Sequence, residues 1–367
     1  MTDRVYNFSA GPACLPESVL KQAQKDVWNI RDTGIGILEH SHRDACFDRI
    51  THETEADCRA VGNIPDTHAI FWMQGGATSQ CYMVPANFLP EGRTADYFQT
   101  GKWANDSISE VPLYGNCHIC GSSQGSGYNF IPKGDQVKYS DKPVYVQFTS
   151  NNTIMGTEFH KEPEAPAGAF LVADMSSNIY SRPMDFSKFG LVYAGAQKNL
   201  GPSGVTLLIA RKDLIEEPVR PLPSMVAYGN HATKEGRFNT PPTFGVYLMG
   251  QVFKWILAEG GLAAMAERNK EKAAIVYDFL DSQDFYTPHA VKEDRSAMNI
   301  TFKCPTPELD DLFVEQAEAK GLSTLKGHKS VGGMRASIYN AFPKQGCVAL
   351  VEFMKAFALE HAKTANA

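Results

Sequence analysis

The sequence predicts an α/β fold: a large domain built on a mostly parallel central sheet, followed by a smaller α+β C-terminal domain. Three observations predict it. Short apolar runs rich in β-branched and aromatic residues alternate with helical patterns, as in parallel α/β sheets. The pair Gly260–Gly261 interrupts a long helical region and marks a hinge between domains. Beyond it the order becomes strand, helix, strand, helix. A chain of 367 residues is also too long for one small core.

Residues 16–30 (PESVLKQAQKDVWNI) have the spacing of a first helix. Strands are predicted at 69–73 (AIFWM), 143–148 (PVYVQF), 169–174 (AFLVAD), 191–196 (LVYAGA) and 205–210 (VTLLIA). The stretch Pro223–Pro242 is polar and broken, which predicts a surface segment serving function or assembly. Helical patterns follow at 246–260 and 262–281. The C-terminal part reads as strand 296–304, helix 307–321, strand 334–340 and helix 348–362.

Composition narrows the function. Hydrophobic residues at 43% and charged residues at 21% suit a soluble globular protein. A formal charge of −6 implies no basic face, which argues against a nucleic-acid partner. An anionic substrate must then be held by a few placed cations. No apolar run is long enough to span a membrane, and MTDRVYNFSAGP lacks the pattern of a signal peptide, so the expected location is cytoplasmic. The eight cysteines are scattered, which predicts reduced thiols. Cys117-His-Ile-Cys120 has no second pair at zinc-site spacing, and the Gly/Ser run after it predicts a loop. No metal site is expected.

Several motifs carry chemistry. Lys198 directly follows a buried-type strand and precedes the turn Asn-Leu-Gly-Pro-Ser-Gly204. Ligands in open α/β sheets bind beyond the carboxyl ends of strands, which is where Lys198 falls. Desolvation there would lower its pKa, as an amine attacking an aldehyde requires. Asp174 ends another strand, and a buried carboxylate needs a cationic partner such as a protonated pyridine nitrogen. Strand 69–73 runs into Gln74-Gly-Gly-Ala-Thr-Ser79 and then a helical pattern, a setting in which backbone N–H groups approach a phosphate. No P-loop or dinucleotide fingerprint accompanies it. Trp103 is a candidate to stack on a flat ring. His40-Ser-His-Arg-Asp44 has the spacing of a metallo-hydrolase or kinase fragment, but the companion motifs are missing. His42 and Arg43 serve better as cations facing an anionic substrate.

Taken together these motifs resemble the phosphoserine aminotransferases, within the fold-type I enzymes that use pyridoxal 5′-phosphate. The match runs from Asn7-Phe-Ser-Ala-Gly-Pro12 to Gly327-His-Lys-Ser-Val-Gly-Gly-Met-Arg-Ala-Ser-Ile-Tyr-Asn340. Tyr193-Ala-Gly-Ala-Gln-Lys-Asn-Leu-Gly-Pro202 and Phe238-Asn-Thr-Pro-Pro-Thr-Phe244 are its most specific parts. The resemblance implies that Lys198 forms the Schiff base and shuttles the proton, while Asp174 pairs with the pyridinium nitrogen. It implies that Trp103 stacks on the ring, that Thr153 lies near the ring hydroxyl, and that Gly76, Ala77 and Gln197 bind the phosphate. Asn239 and Thr240 would complete that phosphate site from the neighbouring subunit of a homodimer. Arg335 would hold the substrate α-carboxylate. His42, Arg43, His328 and Lys329 would read the distal phosphate or the glutamate side chain, with Ser9 beside them.

The implied reaction passes the amino group of L-glutamate to 3-phosphohydroxypyruvate; a phosphorylated keto acid of pyridoxine synthesis is a second implied substrate. The implied domains are a large cofactor-binding domain over 16–260 and a small one over 261–367, with segment 1–15 packing on the small one. Two positions depart from the family. Some members carry arginine where Ala77 stands, and arginine is common in place of Lys329. Each loses a planar fork for carboxylate or phosphate. Another class V aminotransferase and a metallo-hydrolase built on His40 and His42 are the rival readings.

Overall fold

The computed structural model describes residues 4–361. Residues 1–3 of the predicted N-terminal segment, and 362–367 of the predicted last helix and small domain, lie outside this range. In chain order the strands are β1 (Tyr6–Asn7), β2 (His68–Met73), β3 (Thr94–Gln99), β4 (Asn116–Ser122), β5 (Tyr145–Thr149), β6 (Asn151–Asn152) and β7 (Thr157–Glu158). They continue with β8 (Phe170–Asp174), β9 (Phe189–Gly195), β10 (Thr206–Arg211), β11 (Thr287–Pro288), β12 (Asn299–Lys303), β13 (Leu322–Ser323) and β14 (Met334–Ser337). The helices are α1 (Glu17–Trp28), α2 (Ala45–Gly62), α3 (Gly76–Phe88), α4 (Lys102–Glu110), α5 (Lys212–Ile215) and α6 (Tyr228–Ala232). The last four are α7 (Thr243–Ala258), α8 (Gly261–Asp281), α9 (Pro307–Ala319) and α10 (Lys344–His361).

The central sheet has seven strands in the order β2-β10-β9-β8-β5-β3-β4. Only β10 runs antiparallel to its neighbours, so β2, β3, β5, β8 and β9 point the same way. Alternate side chains enter two cores. Ile70, Trp72, Val146, Phe148, Leu171, Ala173, Val192 and Ala194 join one. Phe71, Met73, Tyr145, Val172, Leu191 and Tyr193 join the other. Burial on both faces is why these strands read as unbroken apolar runs.

A third core gathers the antiparallel sheet β11-β12-β14 with residues of α8, α9 and α10. Phe8 belongs to it, and β1 pairs in parallel with β13, so the chain start is stitched to the C-terminal part. Gly260 and Gly261 have φ of 97° and 72°, the left-handed turn between α7 and α8 that glycine supplies.

Two expectations are corrected, and two strands of the central sheet were not expected. Cys117 and Cys120 lie on edge strand β4, not in a loop, and join opposite cores. Strands β3 and β4 escaped notice because β3 carries Asp96, fully buried yet satisfied by the Ser140 amide (2.8 Å) and hydroxyl (2.6 Å). The polar stretch 223–242 is partly core: Tyr228 and His231 are buried, with Tyr228 donating to Gln80 Oε1 at 2.7 Å.

Helix α7 crosses α2 through Gly250, where an added Cβ would lie 2.3 Å from Thr54 Oγ1. Valine there should cost about 1–3 kcal/mol by overpacking. We expect Gly250→Val to lower the urea midpoint and Thr54→Ala in the same chain to recover part of the loss. An unchanged midpoint would contradict this account of the contact.

Candidate active site

Five connections leave the carboxyl edge of the parallel strands and meet. Strand β2 leads through Gly75 and Gly76, with φ of 95° and 67°, into α3. These left-handed residues free the first N–H groups of a 13-residue helix, an anion-binding arrangement. Strand β3 leads through Gly101 to Lys102 and Trp103 at the start of α4. Strand β5 is followed by the Asn151–Thr153 turn, β8 ends on Asp174, and β9 ends three residues before Lys198. Gly76, Ala77, Trp103, Asp174, Gln197 and Lys198 line one cleft.

Lys198 is the centre of this cleft. Its Nζ donates to Thr153 Oγ1 at 2.7 Å and stands 5.4 Å from the centre of the Trp103 ring. Burial lowers its pKa to about 8; the Asp174 carboxylate pulls it upward and the Arg335 guanidinium downward. Asp174 is buried, and its Oδ1 accepts from the Ser176 amide (2.9 Å) and hydroxyl (2.6 Å). Its Oδ2 has no hydrogen-bond partner among the described residues. The Ser176 hydroxyl also accepts from Gly195 N at 3.1 Å, which ties Asp174 to the Lys198 strand.

Arg335, on β14, reaches across from the C-terminal part, with Nη1 3.5 Å from the Thr153 carbonyl. Burial lowers its pKa. His328 and Lys329 lie in the loop between β13 and β14; His328 Nδ1 is 2.8 Å from Ser330 Oγ. Burial first, then the cations Arg335, Lys329 and Lys102, lower the His328 pKa. The Ser9 hydroxyl accepts from Gly11 N at 3.3 Å. Gln197 is half-buried, and its backbone carbonyl accepts from Ala13 N at 2.9 Å.

Four expected residues are not brought to Lys198. His42 is half-buried and Arg43 exposed on the turn before α2; no hydrogen bond or ion pair links either side chain to Lys198, Asp174 or Arg335 among the described residues. The Asn239 amide donates to Gln74 Oε1 of the same chain at 2.8 Å, and Thr240 is exposed. His40 spends both ring nitrogens on Asp44 (2.7 Å) and Thr33 (3.0 Å), and no metal-binding cluster occurs among the described residues. Sequence reasoning missed Ser176, Lys102 and Gly11. The Asp-x-Ser spacing after β8 could have flagged the first; nothing local signals that Gly11 passes so close that a Cβ would lie 3.3 Å from Lys198 Cγ.

Comparison with known proteins decides the family. The model of the Aminotransferase class-V family matches residues 5–350. A phosphoserine aminotransferase of Desulfotalea psychrophila is 49% identical over 98% of this chain and 99% of that protein. One from Herpetosiphon aurantiacus is 48% identical, over 96% and 98%. The chain belongs to the phosphoserine aminotransferase family. Among solved structures, the phosphoserine aminotransferase of Bacillus circulans subsp. alkalophilus superposes with a TM-score of 0.95 at 45% identity, covering 98% of this chain and 100% of that one. The pyridoxal-phosphate-bound enzyme of Trichomonas vaginalis gives 0.92 at 38%, covering 96% and 100%.

This phosphoserine aminotransferase family member is therefore an aminotransferase dependent on pyridoxal phosphate. The cleft fits that cofactor: an amine of lowered pKa for the aldehyde, a free carboxylate oxygen for the ring nitrogen, an indole face and a helix N-terminus for phosphate. The charges around Lys198 make a signed prediction. In cofactor-free protein, labelling of Lys198 by an amine-selective reagent should rise with a midpoint near pH 8. Arg335→Leu should move that midpoint up and Asp174→Asn should move it down. Identical midpoints in all three proteins would contradict the assignment.

Proposed function

We propose that the protein transfers the amino group of L-glutamate to 3-phosphohydroxypyruvate, giving 2-oxoglutarate and O-phospho-L-serine. The observation that carries this reading is the cleft in which Lys198 and Asp174 meet, with Arg335 reaching the carbonyl of Thr153, the residue whose hydroxyl holds Lys198. Pyridoxal phosphate, when bound, supplies the carbonyl carbon that carries the amino group and a ring that accepts the electron pair freed at the substrate Cα.

The residues divide the remaining work. Lys198, whose pKa burial lowers to about 8, would take the proton from the substrate Cα and deliver it to the carbon that the cofactor's aldehyde supplies. Asp174, fixed by Ser176, would set its carboxylate against the ring nitrogen and favour the protonated ring. Gly76, Ala77 and Gln197, which line the cleft, would hold the cofactor phosphate, and Thr153, whose hydroxyl holds the Lys198 amine, would serve the ring hydroxyl. Arg335, partly desolvated, forks onto the α-carboxylate, while His328 and Lys329 face the distal anion with Ser9 nearby.

We place His42, Arg43, Asn239 and Thr240 in the neighbouring subunit's site within a homodimer. In support, none of them contacts Lys198 of its own chain, although Asn239 is anchored beside the Gly75 turn. No helix among the described residues is long and apolar enough to cross a membrane, and we assign the enzyme to the cytoplasm. The pyridoxine-pathway keto acid, like 3-phosphohydroxypyruvate, presents a carboxylate and a distal phosphate to the same cations.

A cysteine-based reaction at this centre finds no support: Cys81, which lines the cleft, is buried and its thiol is pushed up to about 11. The deciding assay pairs 2-oxoglutarate with O-phospho-L-serine, L-serine or L-alanine. Charge-assisted contacts to the phosphate predict at least about a hundredfold higher kcat/KM for phosphoserine. Equal rates with serine or alanine would overturn the phosphate-reading role of the cations.

A further inference from the structure

We propose that Lys102 is a specificity-determining residue, a cation that reads the substrate's distal anion from the central-sheet side of the cleft. The inference rests on the transamination reading above. Its basis is the way α4 is delivered to the site. Gly101 precedes the helix so closely packed that an added Cβ would lie 2.9 Å from Asn152 Oδ1. That approach sets the first turn of α4 against the Asn152–Thr153 turn, whose hydroxyl holds Lys198. As a result two ammonium groups flank one indole: Lys198 Nζ at 5.4 Å and Lys102 Nζ at 5.2 Å from the Trp103 ring centre.

Helix stability offers no reason for a cation at this position. Lys102 is the first residue of α4, where the positive end of the helix dipole disfavours positive charge. Its partner Asp106 stands four residues C-terminal at 2.5 Å, which is the weaker order for such a pair. Both side chains are well exposed, at 45% and 36%, so solvent screens the pair and it adds little to the helix. A residue that offends the local rule at the mouth of an active site marks a functional position.

The surroundings say what Lys102 is for. Asp106 lines the cleft beside Trp103 and Lys198, which puts the Lys102 ammonium on its rim. On the C-terminal side, the loop between β13 and β14 carries His328 and Lys329, and Lys102 is among the charges that lower the His328 pKa, after burial, Arg335 and Lys329. A phosphate entering the cleft carries more charge than Asp106 and takes the ammonium from a weak, solvated pair. Lys102 then supplies positive charge from α4 while His328 and Lys329 supply it from the opposite loop.

The test uses holoenzyme and compares Lys102→Met and Lys102→Arg with the parent protein. Substrates are O-phospho-L-serine and L-serine, and inorganic phosphate serves as a competitive inhibitor. Losing one charge-assisted contact predicts about a tenfold higher KM for phosphoserine in Lys102→Met, with kcat preserved. Inhibition by phosphate should weaken by a similar factor, the kcat/KM for serine should not change, and Lys102→Arg should restore most of the loss. The proposal is overturned if Lys102→Met keeps the parent's KM for phosphoserine, or loses serine and phosphoserine activity alike. A parent enzyme that does not prefer phosphoserine to serine would instead remove the underlying substrate reading.

Discussion

A half-buried lysine amine sharing a cleft with a buried carboxylate is the constraint on which the rest of the site depends. Burial alone would favour a neutral Lys198, and the Arg335 charge pushes the same way. Asp174 opposes both, so the amine settles near the pH at which it can exchange protons in either direction. That balance requires Asp174 to remain fixed and charged. Ser176 meets the need by donating twice to one oxygen and accepting from Gly195, which leaves the other oxygen without a hydrogen-bond partner among the described residues. The β8–β9 pair and its two end residues therefore act as one rigid electrostatic unit.

Around this unit the fold assigns different jobs to its parts. The parallel strands bring glycine-led helix starts to the same edge: α3 with its free N–H groups and α4 with Trp103. The C-terminal part supplies Arg335, His328 and Lys329, and its position is fixed by contacts that run through the site itself. The Tyr339 hydroxyl donates to the Ala10 carbonyl at 2.8 Å, and the Asn340 backbone N–H donates to Oδ1 of Asn199, the residue after Lys198, at 3.0 Å. The N-terminal segment is thus a wall of the cleft, with Gly11 against Lys198 and Phe8 in the C-terminal core. Binding and chemistry share one framework, which is how a few cations on an acidic protein can select an anionic substrate.

How much of this was legible in the sequence follows from how local each feature is. Asp174 and Lys198 could be read because the first ends an apolar strand and the second closely follows one, and the strand-end rule places ligands there. The Gly75–Gly76 turn was equally local, since only glycine tolerates its backbone angles without cost. Strands β3 and β4 were hidden because Asp96 breaks the apolar pattern and finds its partner in Ser140, far along the chain. The Arg335–Thr153 and Gly11–Lys198 contacts join residues that nothing in spacing connects. Tyr228 misled in the opposite sense: a polar stretch held one of the most deeply buried aromatic rings. Of the residues assigned through family resemblance, Arg335 reaches the carbonyl of Thr153, which holds Lys198, whereas Arg43 is exposed on its own chain.

The central claim is that Lys198, paired with Asp174, is the point of covalent attachment for pyridoxal phosphate. The most direct measurement is borohydride reduction of the holoenzyme, followed by proteolysis and mass spectrometry of every lysine peptide. The account predicts a pyridoxyl-phosphate adduct on Lys198 and on no other lysine. An unmodified Lys198, or an adduct on another lysine such as the buried Lys272, would contradict it.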